Sequence, residues 1–324
     1  MIKVGIVGYG NLGRGVCLAV DKAPDMECVG VFTRRDTKTV KPVTPVNVYS
    51  INELKNFKGQ IDVLLLCGGS ATDLPETTAE ILKDFNTVDS FDTHAKIPEY
   101  YAKLEKVAKE NGTLSAISIG WDPGVFSIAR MLFGAVLPDG KDYTFWGKGV
   151  SQGHSDALRR INGVKNAIQY TIPKQEALES VRSGNNPELS TREKHLRECF
   201  VALEDGADKV RIENEIKSMP NYFADYDTIV NFVSEEEVSA MQKKLSHGGF
   251  VFRSGNTTEE NSHLLELSLR LDSNPEFTGS VLTAYGRAVA RLAKEGKTGV
   301  VTVFDVPISY LSHMSGEELR KTLL

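Results

Sequence analysis

A chain of 324 residues, 41% hydrophobic and 25% charged, has the make-up of a globular protein of about two domains. Its net charge of -5 argues against a general nucleic-acid surface, and no apolar run approaches the ~20 residues of a membrane-spanning helix. Cys17, Cys28, Cys67 and Cys199 lack paired spacing and read as buried thiols of a reducing cytoplasm, and the six histidines suggest no metal set.

The first predicted element is Ile2 to Val7, a β-branched run suited to a strand buried on both sides of a parallel sheet. The turn Gly8-Tyr9-Gly10-Asn11-Leu12-Gly13 follows in G-x-G-x-x-G spacing and opens a helix with apolar positions at Leu12, Val16 and Val20. Gly8 suits the tight turn, Gly10 a backbone close to a pyrophosphate, and Gly13 close helix–strand packing; the helix N-terminus faces the anion. Because the turn joins a strand to a helix, it predicts a Rossmann dinucleotide site, which the glycines alone would not. The glycines also interrupt any signal-peptide core over residues 1 to 20.

The second strand, Cys28 to Phe32, ends in Thr33-Arg34-Arg35, where an NAD-specific protein would carry an Asp or Glu for the ribose hydroxyl. With no carboxylate at the strand end to repel a 2′-phosphate, the two guanidiniums and the hydroxyl predict NADP. A short helix at 51–57 leads to a strand over Ile61 to Cys67, then the turn Cys67-Gly68-Gly69-Ser70 with Thr72, and a helix from Pro75 to Leu82. Thr87 to Phe91 is a strand ending in Asp92-Thr93-His94, 97–109 a helix, and Thr113 to Ile119 a strand ending in Gly120-Trp121-Asp122-Pro123-Gly124. This alternation predicts a doubly wound parallel sheet with ligands outside its carboxyl strand ends. Asp92 and Asp122 lie at such ends. Either alone is an ordinary turn or cap residue, but together they point to substrate contact.

The rhythm changes near residue 143. Strands are expected at 143–147, 167–172, 195–202, 229–233 and 264–271, with a helix near 207–217 and a polar loop at 183–190. Ser151 to Asp156 reads as a loop into a helix capped by Ser155 or Asp156, and Ser246 to Gly249 as a tight turn. Asn274-Pro275 is a break before an amphipathic helix over 279–295. The second half therefore reads as α+β, an open sheet covered by helices on one face. The expected domains are 1–122 for the dinucleotide, with 278–324 packing back on it, and 123–277 for substrate and dimerisation.

The glycine turn, Gly120 to Gly124, Gln169-Tyr170-Thr171, His247-Gly248-Gly249 and above all Ser151-Gln152-Gly153-His154-Ser155-Asp156-Ala157-Leu158-Arg159-Arg160 resemble the meso-diaminopimelate D-dehydrogenase family over nearly the whole chain. The resemblance implies NADP-dependent oxidative deamination of the D-centre of meso-2,6-diaminopimelate to L-2-amino-6-oxopimelate and ammonia, in lysine biosynthesis. It implies Asp92 and Asp122 as carboxylates at the D-centre amine, without saying which is the base. It implies Trp121 and Trp146 as pocket walls, and Arg197, Thr171 and His247 as a clamp on the distal carboxylate. Asn274 is implied at the distal end, Gln152 and Gly153 at the border of the substrate. A cytoplasmic homodimer is implied as well.

Overall fold

The apolar run Ile2–Val7 forms strand β1, covered throughout except at Lys3 and, partly, Val7. In the computed structural model, which describes residues 1–324, α1 (Asn11–Asp21), β2 (Met26–Thr33), β3 (Val48–Ser50), β4 (Val63–Leu66), α2 (Asp73–Leu82) and β5 (Thr87–Asp89) come next. Then come α3 (Ile97–Asn111), β6 (Leu114–Ala116) and α4 (Val125–Val136). Beyond them are β7 (Gly140–Trp146), β8 (Gly149–Val150), α5 (Gln152–Arg159), β9 (Val164–Pro173), α6 (Gln175–Arg182), α7 (Thr191–Lys194), β10 (His195–Leu203), α8 (Lys209–Ser218), β11 (Asp227–Phe232) and α9 (Glu235–Gln242). The last elements are β12 (His247–Asn256), β13 (Ser262–Leu271), α10 (Asn274–Lys294), β14 (Gly299–Val301) and α11 (Gly316–Leu323). Two units divide the chain: residues 1–128 with 275–324, and residues 129–274.

The first unit is a seven-stranded parallel sheet in the order β14-β6-β5-β4-β1-β2-β3. One face is buried under Val16, Cys17 and Val20 of α1 and Leu282, Tyr285 and Val289 of α10. The other lies under Leu74 and Leu82 of α2 and Leu104 and Ala108 of α3. Each valine and leucine among them contributes about 1.5–3 kcal/mol on full burial. Helices α1 and α10 cross backbone to backbone: a Cβ at Gly15 would meet the Pro275 carbonyl, and one at Gly279 would meet the Gly15 carbonyl carbon. Arg287 on α10 then closes a two-pronged bond to both carboxylate oxygens of Asp25, 2.7 Å each.

The second unit holds two sheets, β11-β10-β9-β8 and β13-β12-β7, where the sequence suggested one. The difference is β12. Two adjacent glycines made 246–249 look like a turn, but they begin a ten-residue strand that pairs with both β7 and β13. Helices α5 and α8 pack on one face of the four-stranded sheet through Leu158, Ile212 and Ile216, and α9 covers the other through Val238, so this sheet is covered on two faces. Helix α5 starts earlier than expected: Ser151 is its N-cap, and the Ser155 hydroxyl is buried, accepting the Gln169 N–H at 3.0 Å. All four cysteines are free. No helix is long and apolar enough to cross a membrane.

Candidate active site

At the carboxyl end of β1 the chain turns at Gly8, φ +88°, into α1. A Cβ at Gly13 would fall on the Gly8 carbonyl oxygen, whereas one at Gly10 would meet no atom within 4 Å. The helix N-cap, Gly10, brings no side-chain bond to the first N–H groups. Free N–H groups beside open room are what a pyrophosphate needs, so this turn fits a dinucleotide. Beyond β2, the Arg35 guanidinium donates to the Tyr9 carbonyl, and the Thr33 hydroxyl accepts the Arg35 N–H at 3.1 Å. Arg34 is ion-paired with Asp73, the first residue of α2, which also accepts the Gly69 N–H at 3.1 Å. The Arg34 guanidinium, then that N–H, hold the Asp73 carboxyl below the usual carboxylate range. A carboxylate does therefore lie beside the basic pair, delivered by α2 and not by the end of β2. Val7, Gly8, Phe32, Arg34, Leu66 and Asp73 line a cavity between these strand ends.

The exits of β4, β5 and β6 are tied together. The Ser70 hydroxyl donates to the Ser90 carbonyl at 3.5 Å and accepts the Asp92 N–H at 3.1 Å. Asp92 and His94 are exposed and Thr93 partly so, while Asp122 and Pro123 are half-buried. Thr72 is the N-cap of α2 but makes no side-chain cap bond. Trp121 is buried, edge-on to Phe126 with ring centres 5.2 Å apart, and bridges to Gly124 across a turn closed by Phe126 N–H to the Trp121 carbonyl, 2.8 Å. Behind these exits lies Asp89, fully buried and missed in the sequence because it falls inside a strand. Its carboxylate accepts N–H groups from Phe91 (2.9 Å) and Ser118 (3.2 Å) and the Tyr100 hydroxyl proton (2.9 Å). Burial pushes this carboxyl up to about 6.

In the second unit, alternation along β10 points His195, Arg197, Cys199 and Val201 inward, and the register sets Arg197 opposite Thr171 and Cys199 opposite Gln169. Arg197 is 7% exposed, donates to the Thr171 hydroxyl and stacks on the Tyr226 ring at 3.9 Å. Its Nε has no partner, nor has the buried Oε1 of Gln169. Burial holds the guanidinium below its usual range. The His247 ring lies against Gly149, where a Cβ would overlap it, and Gly149 pairs with Thr171, so β8, β9, β10 and β12 bring Thr171, Arg197 and His247 together.

Two histidines join them that sequence reasoning passed over. His195 stacks on Trp146 at 5.6 Å and its Nε2 accepts the Trp146 N–H at 2.9 Å. His154 Nδ1 lies 2.7 Å from the Ser151 hydroxyl. Burial, and secondarily the Arg197 charge, push His195 down to about 3 and His154 to about 4. The alternation His195-x-Arg197 was the available signal for the first. Trp146 is 39% exposed. Gln152 and Gly153 are exposed on the first turn of α5, and the Asn274 N–H donates to the Leu245 carbonyl at 2.8 Å at the start of α10.

A redox cofactor site and an anion-seeking pocket suit an amino-acid dehydrogenase. The family described as diaminopimelic acid dehydrogenase C-terminal domain matches residues 120–273. The chain is 58% identical over 323 residues to the meso-diaminopimelate D-dehydrogenase of Ureibacillus thermosphaericus, covering 100% of this chain and 99% of that one. This chain belongs to the meso-diaminopimelate D-dehydrogenase family. Its fold matches that of a meso-diaminopimelate dehydrogenase variant from Clostridium tetani solved with DAP, at a TM-score of 0.95 and 52% identity with 100% of both chains covered. In that variant a Gln, a Thr, an Arg, a Pro, a His and an Asn are exchanged. An engineered D-amino acid dehydrogenase bound to NADP+ matches at a TM-score of 0.87 and 41% identity, covering 100% of this chain and 99% of that one. The chain is an oxidoreductase acting on CH–NH2. It uses NADP to deaminate the D-centre of meso-2,6-diaminopimelate oxidatively and reversibly, giving L-2-amino-6-oxopimelate and ammonia.

Proposed function

We propose that Asp92 and Asp122 are the catalytic carboxylates of this reaction, and that Arg197, Thr171 and His247 grip the carboxylate of the distal L-centre. The observation that carries the clamp is a buried guanidinium with an unpartnered Nε. A buried charge without a counter-charge is costly, and a bound carboxylate would offset that cost through a bidentate pair. Five of the six side chains exchanged in the Clostridium variant support the same reading. At the same spacings this chain has Gln152, Thr171, Arg197, His247 and Asn274, with Ser246 in place of the Pro.

Bound NADP+ supplies the hydride acceptor for the D-centre carbon. Asp92 and Asp122 hold the D-centre ammonium, and one of them accepts its proton so that the nitrogen lone pair can form the C=N bond as the hydride leaves. Water then adds to the iminium carbon and ammonia departs. Trp121 and Trp146 wall the pocket. Gln152 and Gly153 border the substrate, and Asn274 meets its distal end. The Gly8–Gly13 turn, residues Tyr9, Asn11 and Leu12 included, takes the pyrophosphate, and Thr33, Arg34 and Arg35 take the 2′-phosphate. Cys67, Gly68, Gly69, Ser70 and Thr72 lie along the cofactor, followed by Asp92, Thr93 and His94 and by Trp121, Asp122, Pro123 and Gly124. Residues 1–122 with 278–324 form the dinucleotide domain and 123–277 the substrate domain. The latter also dimerises the enzyme, which works in the cytoplasm.

Reduction of NADP+ is to be followed with meso-, LL- and DD-diaminopimelate and a panel of simple D-amino acids. Turnover confined to the meso isomer, with ammonia released, is expected. Equal turnover of simple D-amino acids would remove the clamp, and unchanged turnover in both Asp92→Asn and Asp122→Asn would remove the catalytic assignment. A solution mass of twice 35.6 kDa is expected for the dimer.

A further inference from the structure

One carboxylate binds both strand exits that carry the candidate catalytic pair. Asp89 Oδ1 accepts the N–H of Phe91, the residue immediately before Asp92, and the N–H of Ser118, four residues before Asp122. The Asp89 carbonyl also accepts the Ile119 N–H at 2.8 Å. Ser118 is held at φ +59°, a left-handed conformation that a serine rarely adopts, and its N–H reaches Asp89 from there. The second oxygen, Oδ2, is held by Tyr100 from α3, whose hydroxyl is also 2.8 Å from Thr78 on α2. Asp89 itself is fully buried, whereas Asp92 is exposed.

We infer that Asp89 is a positioning residue for the reaction: its Oδ1 fixes the β5 and β6 exits at one spacing, so that Asp92 and Asp122 meet the same amine. The inference rests on the catalytic assignment of those two residues. What it requires of Asp89 is an acceptor oxygen and not a charge, because both shared donors are backbone N–H groups. The amide of Asp89→Asn keeps that oxygen and can donate to Tyr100, which then donates to Thr78. Asp89→Ala leaves both N–H groups without a partner.

The test compares kcat, KM for meso-diaminopimelate and NADP+ affinity, the last by calorimetry without substrate. Asp89→Ala should lower kcat about 10- to 100-fold, the order expected of a small misplacement of reacting groups, with KM and NADP+ affinity within about three-fold. Asp89→Asn should stay near wild type. On an Asp92→Asn or Asp122→Asn background, Asp89→Ala should add little, because a carboxylate already removed cannot be misplaced. Wild-type kcat in a folded Asp89→Ala enzyme, or a loss that multiplies fully with those of the aspartates, overturns the inference. Should the alanine variant not fold, Asp89→Ser, whose hydroxyl is too short to span both donors, takes its place with the same criteria. If Asp92→Asn and Asp122→Asn both retain full kcat, the catalytic assignment itself has failed, whatever Asp89 does.

Discussion

Arg197 is a buried cation held by the Thr171 hydroxyl and the Tyr226 ring. Replacing it with alanine removes two charge-assisted bonds to a substrate carboxylate, each worth about 1.5–3 kcal/mol, so KM for meso-diaminopimelate should rise about 100-fold or more. NADP+ affinity should not move, since Arg197 belongs to the unit without the glycine turn; steady-state kinetics and calorimetry check both. Replacing Arg34 and Arg35 together with alanine should weaken NADP+ about 100-fold in direct titrations and NAD+ only a few-fold, because the 2′-phosphate alone loses its partners. Equal weakening of both cofactors would contradict the role of the pair. The glycine turn and Thr33-Arg34-Arg35 were legible because local spacing encodes them. Asp73 was not, because it reaches Arg34 across 39 residues of chain. Arg197 and His247 were legible only through the family resemblance: their partners come from other strands, and nothing local distinguishes them from a surface charge and a turn residue.

Elements repeat that lesson. β4 was readable because its apolar run is unbroken and β1 because only Lys3 interrupts it, whereas β3 and β14 are three-residue edge strands with too little pattern to detect. β12 was hidden by its own glycines. Helix α10 and its return to the first unit could be read from its amphipathic pattern, but its crossing with α1 could not, since Gly15 and Gly279 show their purpose only when the two backbones meet. The bond from Arg287 to Asp25 fastens that seat, and Arg287 is the more buried partner. Arg287→Met should destabilise the first unit by about 3 kcal/mol, the lower end for removing one member of a buried pair, as read from urea midpoints. The Arg287 guanidinium also holds the Asp25 carboxyl below its usual range. Its contribution is therefore present above pH 4 and lost as pH falls through the lowered value, so the variant should differ least from wild type in strong acid.

At the scale of the molecule, acid should act oppositely on the two units. In residues 129–274, His154 and His195 bind protons in the unfolded chain near 6.5 but in the folded one only near 4 and 3. Stability there falls as pH drops below 6.5. In the other unit, Asp89 protonates near 6 when folded and near 3.8 when unfolded, so it adds stability over the same descent. Hydrogen exchange between pH 6.5 and 4.5 should show amides of 129–274 losing protection first; simultaneous loss, or the reverse order, would refute it. The free cysteines offer a separate clock. Cys17, Cys28 and Cys67 belong to one unit and Cys199 to the other, and burial pushes the thiols of Cys28 and Cys199 up to about 12. Cys17 and Cys199, one in each unit, are buried, and a thiol shut off from solvent is inert until its surroundings open. In rising urea, then, the order in which a thiol reagent modifies these two sulfurs would date the opening of each unit, with no added label.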